Sequence, residues 1–196
     1  MASSEKLQKA FTLFDEANKQ DPNVEVWQGK EYAKELLYAM RMTEKLNEFA
    51  PDASEALQLT ARCQHICRWE IPRESYEMNR TGYLKWRQDL KKFHAKKASE
   101  ILEKVGYDQD IIAQVSFLLE KKQLKKNEET QTLEDVICLV FLEYYFDSFA
   151  QKYTEVKLID ILQKTWCKMS EDGHSAAHRL PLSPSTKALV SKALQG

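Results

Sequence analysis

The sequence is short of the residues that sheets and tight turns need. It holds 5 Gly and 5 Pro in 196 residues, about 2.5% each against averages of about 7% and about 5%. A β-sandwich or β-barrel uses such residues at its many turns, and a nucleotide fold with a Gly fingerprint uses them beside the phosphates. The shortage argues against all three. No apolar run approaches the ~20 residues that span a bilayer, so no membrane partner is expected. The opening Met1-Ala2-Ser3-Ser4-Glu5-Lys6 lacks a basic head followed by an apolar stretch, so no secretory signal is read and the expected location is the cytoplasm. Cysteine is also scarce. Cys63, Cys67, Cys138 and Cys167 stand singly in apolar helical patterns, and the close pair is separated by three residues rather than two, so buried reduced thiols are expected in place of zinc ligands or disulfides.

What is present describes a globular chain. Apolar residues make up 43% and charged residues 30%, and the length suffices to bury a core without cross-links. One domain over 1–196 is expected, with its core at about 4–171 and a tail at 172–196. The net charge of −1 is uneven: residues 62–126 hold 15 Lys and Arg against 9 Asp and Glu. That basic middle, with Lys121-Lys122 and Lys125-Lys126, is either a set of solvated helix faces and a loop or a surface for an anion.

Helical periodicity dominates. Helices are expected at about 4–20, 31–49, 52–68, 83–105, 108–122, 132–151, 155–171 and 185–194, an all-α bundle of seven to eight. Asp21-Pro22 and Ala50-Pro51 stop the first two, an Asp52 or Ser54 cap starts the third, and Gly106 closes the fourth. A short loop with Trp27 and Gly29 follows the first helix. The longest irregular stretch is 69–82, and loops of that length are often functional.

Polar side chains on apolar faces carry the functional reading, because burying them costs energy unless they find partners. Leu57, Ala61 and His65 succeed one another at i+4, with Gln64 and Arg68 on the same face. Tyr83, Arg87, Leu90, His94, Ala98 and Ile101 share one stripe, which turns His94 inward. Asp135 lies in line with Leu139, Leu142 and Phe146. The ordinary account is two hydrogen-bonded core histidines and a capping box from Thr132 to Asp135. The alternative is a site: two of four histidines and an inward Asp come from three helices, and imidazole plus carboxylate suit divalent metals in a helical core. His174 and His178, at i+4 among Gly, Ser and Ala, read as a solvent-exposed tail.

Long runs of the sequence resemble a widespread family defined only as a domain of unknown function (DUF4202). They include 35–43 (ELLYAMRMT), 61–73 (ARCQHICRWEIPR), 83–87 (YLKWR), 93–95 (FHA), 131–143 (QTLEDVICLVFLE) and 164–170 (KTWCKMS). A more distant resemblance is to the HD superfamily of metal-dependent phosphohydrolases, helical enzymes whose ligands run His, His-Asp, Asp along the chain. The 57–69 helix is similar to the one carrying the doublet, 94–107 to a later His-bearing helix, and 133–136 to the helix of the final Asp. Ile66 stands in the doublet's Asp position, and Arg41-Met42-Thr43 where the first His belongs.

The resemblance implies a metal-dependent phosphohydrolase acting on a nucleotide or other small phosphoester. His65, His94 and Asp135 would hold a divalent ion such as Mn, Co, Ni, Zn or Mg, with Asp135, Glu134 and Arg68 in the chemistry and Glu134 or Glu70 making up for the missing ligand. Arg41, Gln64, Arg68, Trp69, Arg73, Trp86, Arg87 and Lys122 are the candidate substrate contacts, since guanidinium forks fit phosphate oxygens. Without a metal the same residues would bind an anion or nucleotide and catalyse nothing, and the basic loop would meet an acidic partner or RNA.

Two fragments resemble glutamyl-tRNA-synthetase signatures. His65-Ile66-Cys67-Arg68 is similar to half of His-Ile-Gly-His, and Lys168-Met169-Ser170 to the start of Lys-Met-Ser-Lys-Ser. Cys67 replaces the glycine, Glu171-Asp172 follow the serine, and no strand-loop-helix context surrounds either.

Overall fold

The computed structural model describes residues 2–195. Among them are ten α-helices and one two-stranded antiparallel sheet, so the fold class is all-α as expected, with more helices than the seven or eight read from the sequence. No helix among the described residues is long and apolar enough to cross a membrane. The contacts gather into two compact units, one made of residues up to 47 together with 51–122, the other of 48–50 together with 123 onward.

Unit 1 begins with α1 (Ala2–Asn18). The stretch read as a plain loop is instead a hairpin, β1 (Val24–Trp27) with β2 (Lys30–Ala33), in register Val24 to Ala33 and Trp27 to Lys30. Its two-residue turn has Gln28 at φ 51° and Gly29 at φ 75°, the pair of left-handed residues that matches strand twist in a tight hairpin. α2 (Lys34–Phe49) therefore starts three residues later than its periodicity suggests. α3 (Glu55–Cys63) is capped by Ser54, which accepts from the Leu57 N–H, and ends before Gln64.

The 69–82 stretch is shorter and more ordered than read. It holds 3-10 turns at Arg68–Glu70 and Arg73–Ser75, and α4 (Arg80–Val105) already includes Gly82 in its first turn. A β-carbon on Gly82 would sit 2.1 Å from the Glu77 carbonyl oxygen, so only glycine lets the loop fold back on the helix there. Gly106, at φ 90°, closes α4 in the left-handed conformation. α5 (Gln109–Leu119) follows an Asp108 cap. The core of this unit joins Phe14, Leu59, Cys63, Ile66, Leu102, Val115 and Leu119.

Unit 2 contains α6 (Glu128–Val140), a π-helical turn at Phe141–Tyr145, α7 (Phe146–Ala150), α8 (Glu155–Trp166), α9 (Glu171–Ala177) and α10 (Pro184–Gln195). The single helix expected at 132–151 is helical as far as Ala150 but widens at the π turn, and it starts earlier because Asn127, not Thr132, caps it by accepting from the Thr130 N–H. Its core joins Leu139, Leu142, Phe146, Leu158, Leu162 and Met169. Cys63, Cys67 and Cys138 are buried, but Cys167, at the end of α8, is exposed, contrary to expectation. His174 is no free tail residue. It lies in α9 with its ring stacked on Trp166 at 4.3 Å and its Nε2 2.9 Å from the Trp166 carbonyl oxygen, while His178 is exposed.

Candidate functional site

The site builds up in unit 1 from a turn. After α3 the chain reverses through Cys67, which sits at φ 53° in the left-handed region. Its backbone N–H is held by the side chain of Asn18, a buried residue at the end of α1 (3.0 Å). This turn presents His65 and Arg68 toward α2 and α4. The Arg68 Nη1 lies 2.9 Å from His65 Nε2. A guanidinium only donates, so Nε2 accepts and the neutral ring carries its proton on Nδ1. That nitrogen is 3.3 Å from the Glu35 carboxylate. Tyr38, one turn along α2 from Glu35, stacks on His65 with centroids 4.0 Å apart and planes 12° apart.

His94 stands beside this group, its ring centroid 5.9 Å from that of His65. It is 4% exposed. Its Nδ1 donates to the Ile66 carbonyl oxygen at 2.8 Å, which leaves Nε2 as a bare acceptor, and that buried atom has no hydrogen-bond partner among the described residues. The guanidinium of Arg68 lies over the Trp86 ring at 4.9 Å, and the Trp86 indole N–H donates to the Ile71 carbonyl oxygen.

The electrostatics follow from burial among cations. His65 is held well below the usual imidazole range, first by burial and then by Arg68, Arg87, Lys121 and Lys34. His94 is pushed down to about 3, by burial first and then by His65. Burial raises the Glu35 carboxyl, opposed by Arg68, Lys34 and His94. Both histidines are therefore neutral near pH 7.

The other residues picked from the sequence fall in several places. Arg87 donates to the Tyr83 hydroxyl and adds its charge near His65. Gln64 is buried next to His65, with an Oε1 that has no hydrogen-bond partner among the described residues. Trp69 packs against the apolar core, and Glu70 pairs with Lys97. Arg41 is buried on the hairpin side, bonded to Glu25 and over the Trp27 ring. Arg73 spends its guanidinium on the carbonyls of Tyr76, Glu77 and Asn79, closing its own loop. Lys122 is exposed and pairs with Glu120.

Asp135 and Glu134 belong to unit 2. Asp135 accepts from the Ser170 N–H (2.8 Å), the Ser170 hydroxyl (2.6 Å) and Gln131 (3.2 Å), and so braces the start of α9. It makes no capping box with Thr132, whose hydroxyl donates to Glu128. Glu134 is buried and 3.7 Å from Lys168. An open groove of about 630 Å³ on unit 2 is lined by Asp147, Glu155, Ser183, Thr186, Leu189 and Lys192, none of them picked from the sequence.

The metal reading can be tested against these donors. Among the described residues no group of three or more His, Cys, Asp or Glu side chains is arranged to hold a metal ion. His65 Nε2 already accepts from Arg68, and both Asp135 oxygens accept hydrogen bonds within unit 2. Of the three expected ligands, His94 alone has the form of a ligand histidine, one nitrogen pinned on a carbonyl and the other bare. As arranged, the donors do not fit a divalent ion.

Glu35, Tyr38, Tyr83 and Lys34, which were not among the expected site residues, complete the cluster with Lys121 of the basic stretch. Glu35 had a signal. It lies in line with Tyr38, Met42 and Leu46 on the apolar face of α2, an acid where the pattern wants a hydrocarbon. The synthetase fragments lack their setting too, since 65–68 form a turn after a helix, 168–170 lead into α9, and the described sheet is an antiparallel hairpin.

No curated protein and no solved structure matches the chain. The family model described as a domain of unknown function (DUF4202) matches residues 8–190, and the chain belongs to that family.

Proposed function

We propose that unit 1 binds a small phosphorylated molecule, most simply a nucleotide, at the Glu35, His65, Arg68 and His94 cluster, with cationic side chains rather than a metal ion meeting the phosphate. The observation that carries this is the Arg68 guanidinium, 2.9 Å from His65 Nε2 and over the Trp86 ring, with Arg87, Lys121 and Lys34 adding positive charge around the same imidazole. A fixed excess of positive charge beside partly buried groups favours an anion. Arg68 is the principal contact: its planar fork is held over Trp86 and oriented by His65, so little freedom is lost when it pairs with phosphate oxygens. Access is through His65, whose side chain is 23% exposed, and the half-buried Arg87. The thiols of Cys63 and Cys67 are buried, the latter pushed up to about 11 by burial and Glu70, which suits a reducing cytoplasm.

The test is calorimetric titration with inorganic phosphate, AMP and ATP in chelator-treated buffer. Saturable binding that weakens at least tenfold in Arg68→Ala and falls with salt is expected. Absence of binding to all three at millimolar concentration overturns the reading.

A phosphohydrolase reading, as the HD resemblance implies, draws on the bare Nε2 of His94. It requires ions such as Mn, Co, Ni, Zn or Mg to raise the melting temperature, an effect lost in His94→Ala, and turnover of a phosphoester panel.

A further inference from the structure

The Nε2 of His94 is an unusual neighbour for a phosphate. Its lone pair is fixed as an acceptor, because Nδ1 holds the ring proton against the Ile66 carbonyl. An acceptor repels phosphate oxygens, so it contributes nothing to anion binding, yet it is buried with no partner among the described residues, in a ring 5.9 Å from that of the Arg68-bonded His65. A buried acceptor left unmet costs free energy that a donor on a ligand would recover. The second unmet acceptor of the unit, Gln64 Oε1, belongs to the residue before His65.

We propose that the ligand of this cluster is a hydroxylated phosphomonoester, a sugar phosphate or the ribose end of a nucleotide, whose hydroxyl donates to His94 Nε2 while its phosphate meets Arg68. This rests on the phosphate reading above and goes beyond it by assigning two poles to the site. Cations select the phosphate, and His94 selects against esters that have no hydroxyl. A site built to bond a hydroxyl discriminates strongly against the analogue that lacks one, because the buried partner is then left unpaired.

The experiment compares matched phosphate monoesters by calorimetry, with inorganic phosphate as the reference: ethyl against 2-hydroxyethyl phosphate, and propyl against 3-hydroxypropyl phosphate. In the unaltered protein at least one hydroxylated ester binds about tenfold tighter than its alkyl partner. In His94→Asn the amide still donates to the Ile66 carbonyl but Nε2 is gone, so the preference within each pair falls to within about twofold. Equal binding within both pairs, with phosphate bound, overturns this proposal and leaves the phosphate reading standing. Loss of all phosphate binding in the unaltered protein overturns both. A preference that survives His94→Asn, or a metal-raised melting temperature that His94→Asn abolishes, assigns Nε2 elsewhere and also overturns it. The unaltered protein carries the first comparison alone, so the result stands even where the variant fails to fold.

Discussion

A β-carbon on Gly173 would lie 2.5 Å from Oδ1 of Asp135. The two residues are complementary: the absence of a side chain on α9 lets the carboxylate on α6 reach the Ser170 N–H and hydroxyl, and that hydroxyl in turn accepts from the Gly173 N–H. The first prediction follows from this contact. Gly173→Ala forces a clash against a buried, fully engaged carboxylate and lowers stability by about 1–3 kcal/mol. Asp135→Ala strands the Ser170 donors and costs a similar about 1–3 kcal/mol. Urea denaturation followed by far-UV circular dichroism measures both. Phosphate binding by unit 1 should survive in each folded variant, since neither residue belongs to that unit.

The Asn18 side chain provides a second test. Its Oδ1 holds the N–H of Cys67, the left-handed residue on which the His65 and Arg68 turn depends. Asn18→Ala leaves that buried donor unmet. The expected result is a loss of about 1–3 kcal/mol together with weaker phosphate binding, although the Asn18 side chain bonds the Cys67 N–H and not the His65 or Arg68 side chain. Calorimetry alongside urea melts separates the two effects. A stability loss with unchanged phosphate affinity would show that the turn keeps its shape without the latch.

Acid sensitivity is the third. His94 is pushed from the usual 6.5 to about 3, and His65 moves in the same direction. Between these values the unfolded chain takes up a proton that the folded protein refuses. The stabilisation is complete above about pH 6.5 and is lost as pH falls toward 3, at up to about 1.4 kcal/mol per pH unit for each histidine. Glu35 acts in the opposite sense: its raised value lets the folded protein bind a proton above 4.5, which adds stability as pH falls through that window. The urea midpoint should be lower at pH 5 than at pH 7, and the difference should shrink in His94→Asn. An unchanged midpoint across that range would contradict the burial of neutral imidazole.

The hairpin turn supplies a fourth. Gln28 holds φ 51°, a conformation that costs a side-chain-bearing residue energy and costs glycine none. Gln28→Gly is expected to be neutral or stabilising by up to about 1 kcal/mol, whereas Gly29→Val, at φ 75°, is destabilising by about 1–2 kcal/mol. Thermal melts of the two variants check the pair, and equal losses in both would mean that the turn is not the tight one described.

The helices were legible because their evidence is local. Apolar spacing, the Ser54 and Asp108 caps and the Gly106 stop all lie within a few residues of what they control. Where the sequence misled, a non-local or conformational term outweighed periodicity. Gln28-Gly29 turned a loop into a hairpin, the Asn79 cap brought Gly82 into the opening turn of a helix, and a π turn at 141–145 widened a helix whose pattern runs on.

At the site, the inward face of His94 was legible from helical phase, and the excess of basic residues along 62–126 from composition, whereas Gln64, His65 and Arg68 lie in the turn beyond α3, where the expected helical phase no longer applies. The company these residues keep was not legible. Glu35 and Tyr38 lie some 30 residues away in sequence, and the Arg68 bond that takes up the His65 lone pair depends on the left-handed turn at Cys67 and its latch from Asn18. Helical phase fixes which way a side chain faces its own helix axis. Which donor meets which acceptor depends on how separate segments pack, and that packing turned three residues suited to a metal into a guanidinium-held histidine, a bare imidazole acceptor and a brace for α9.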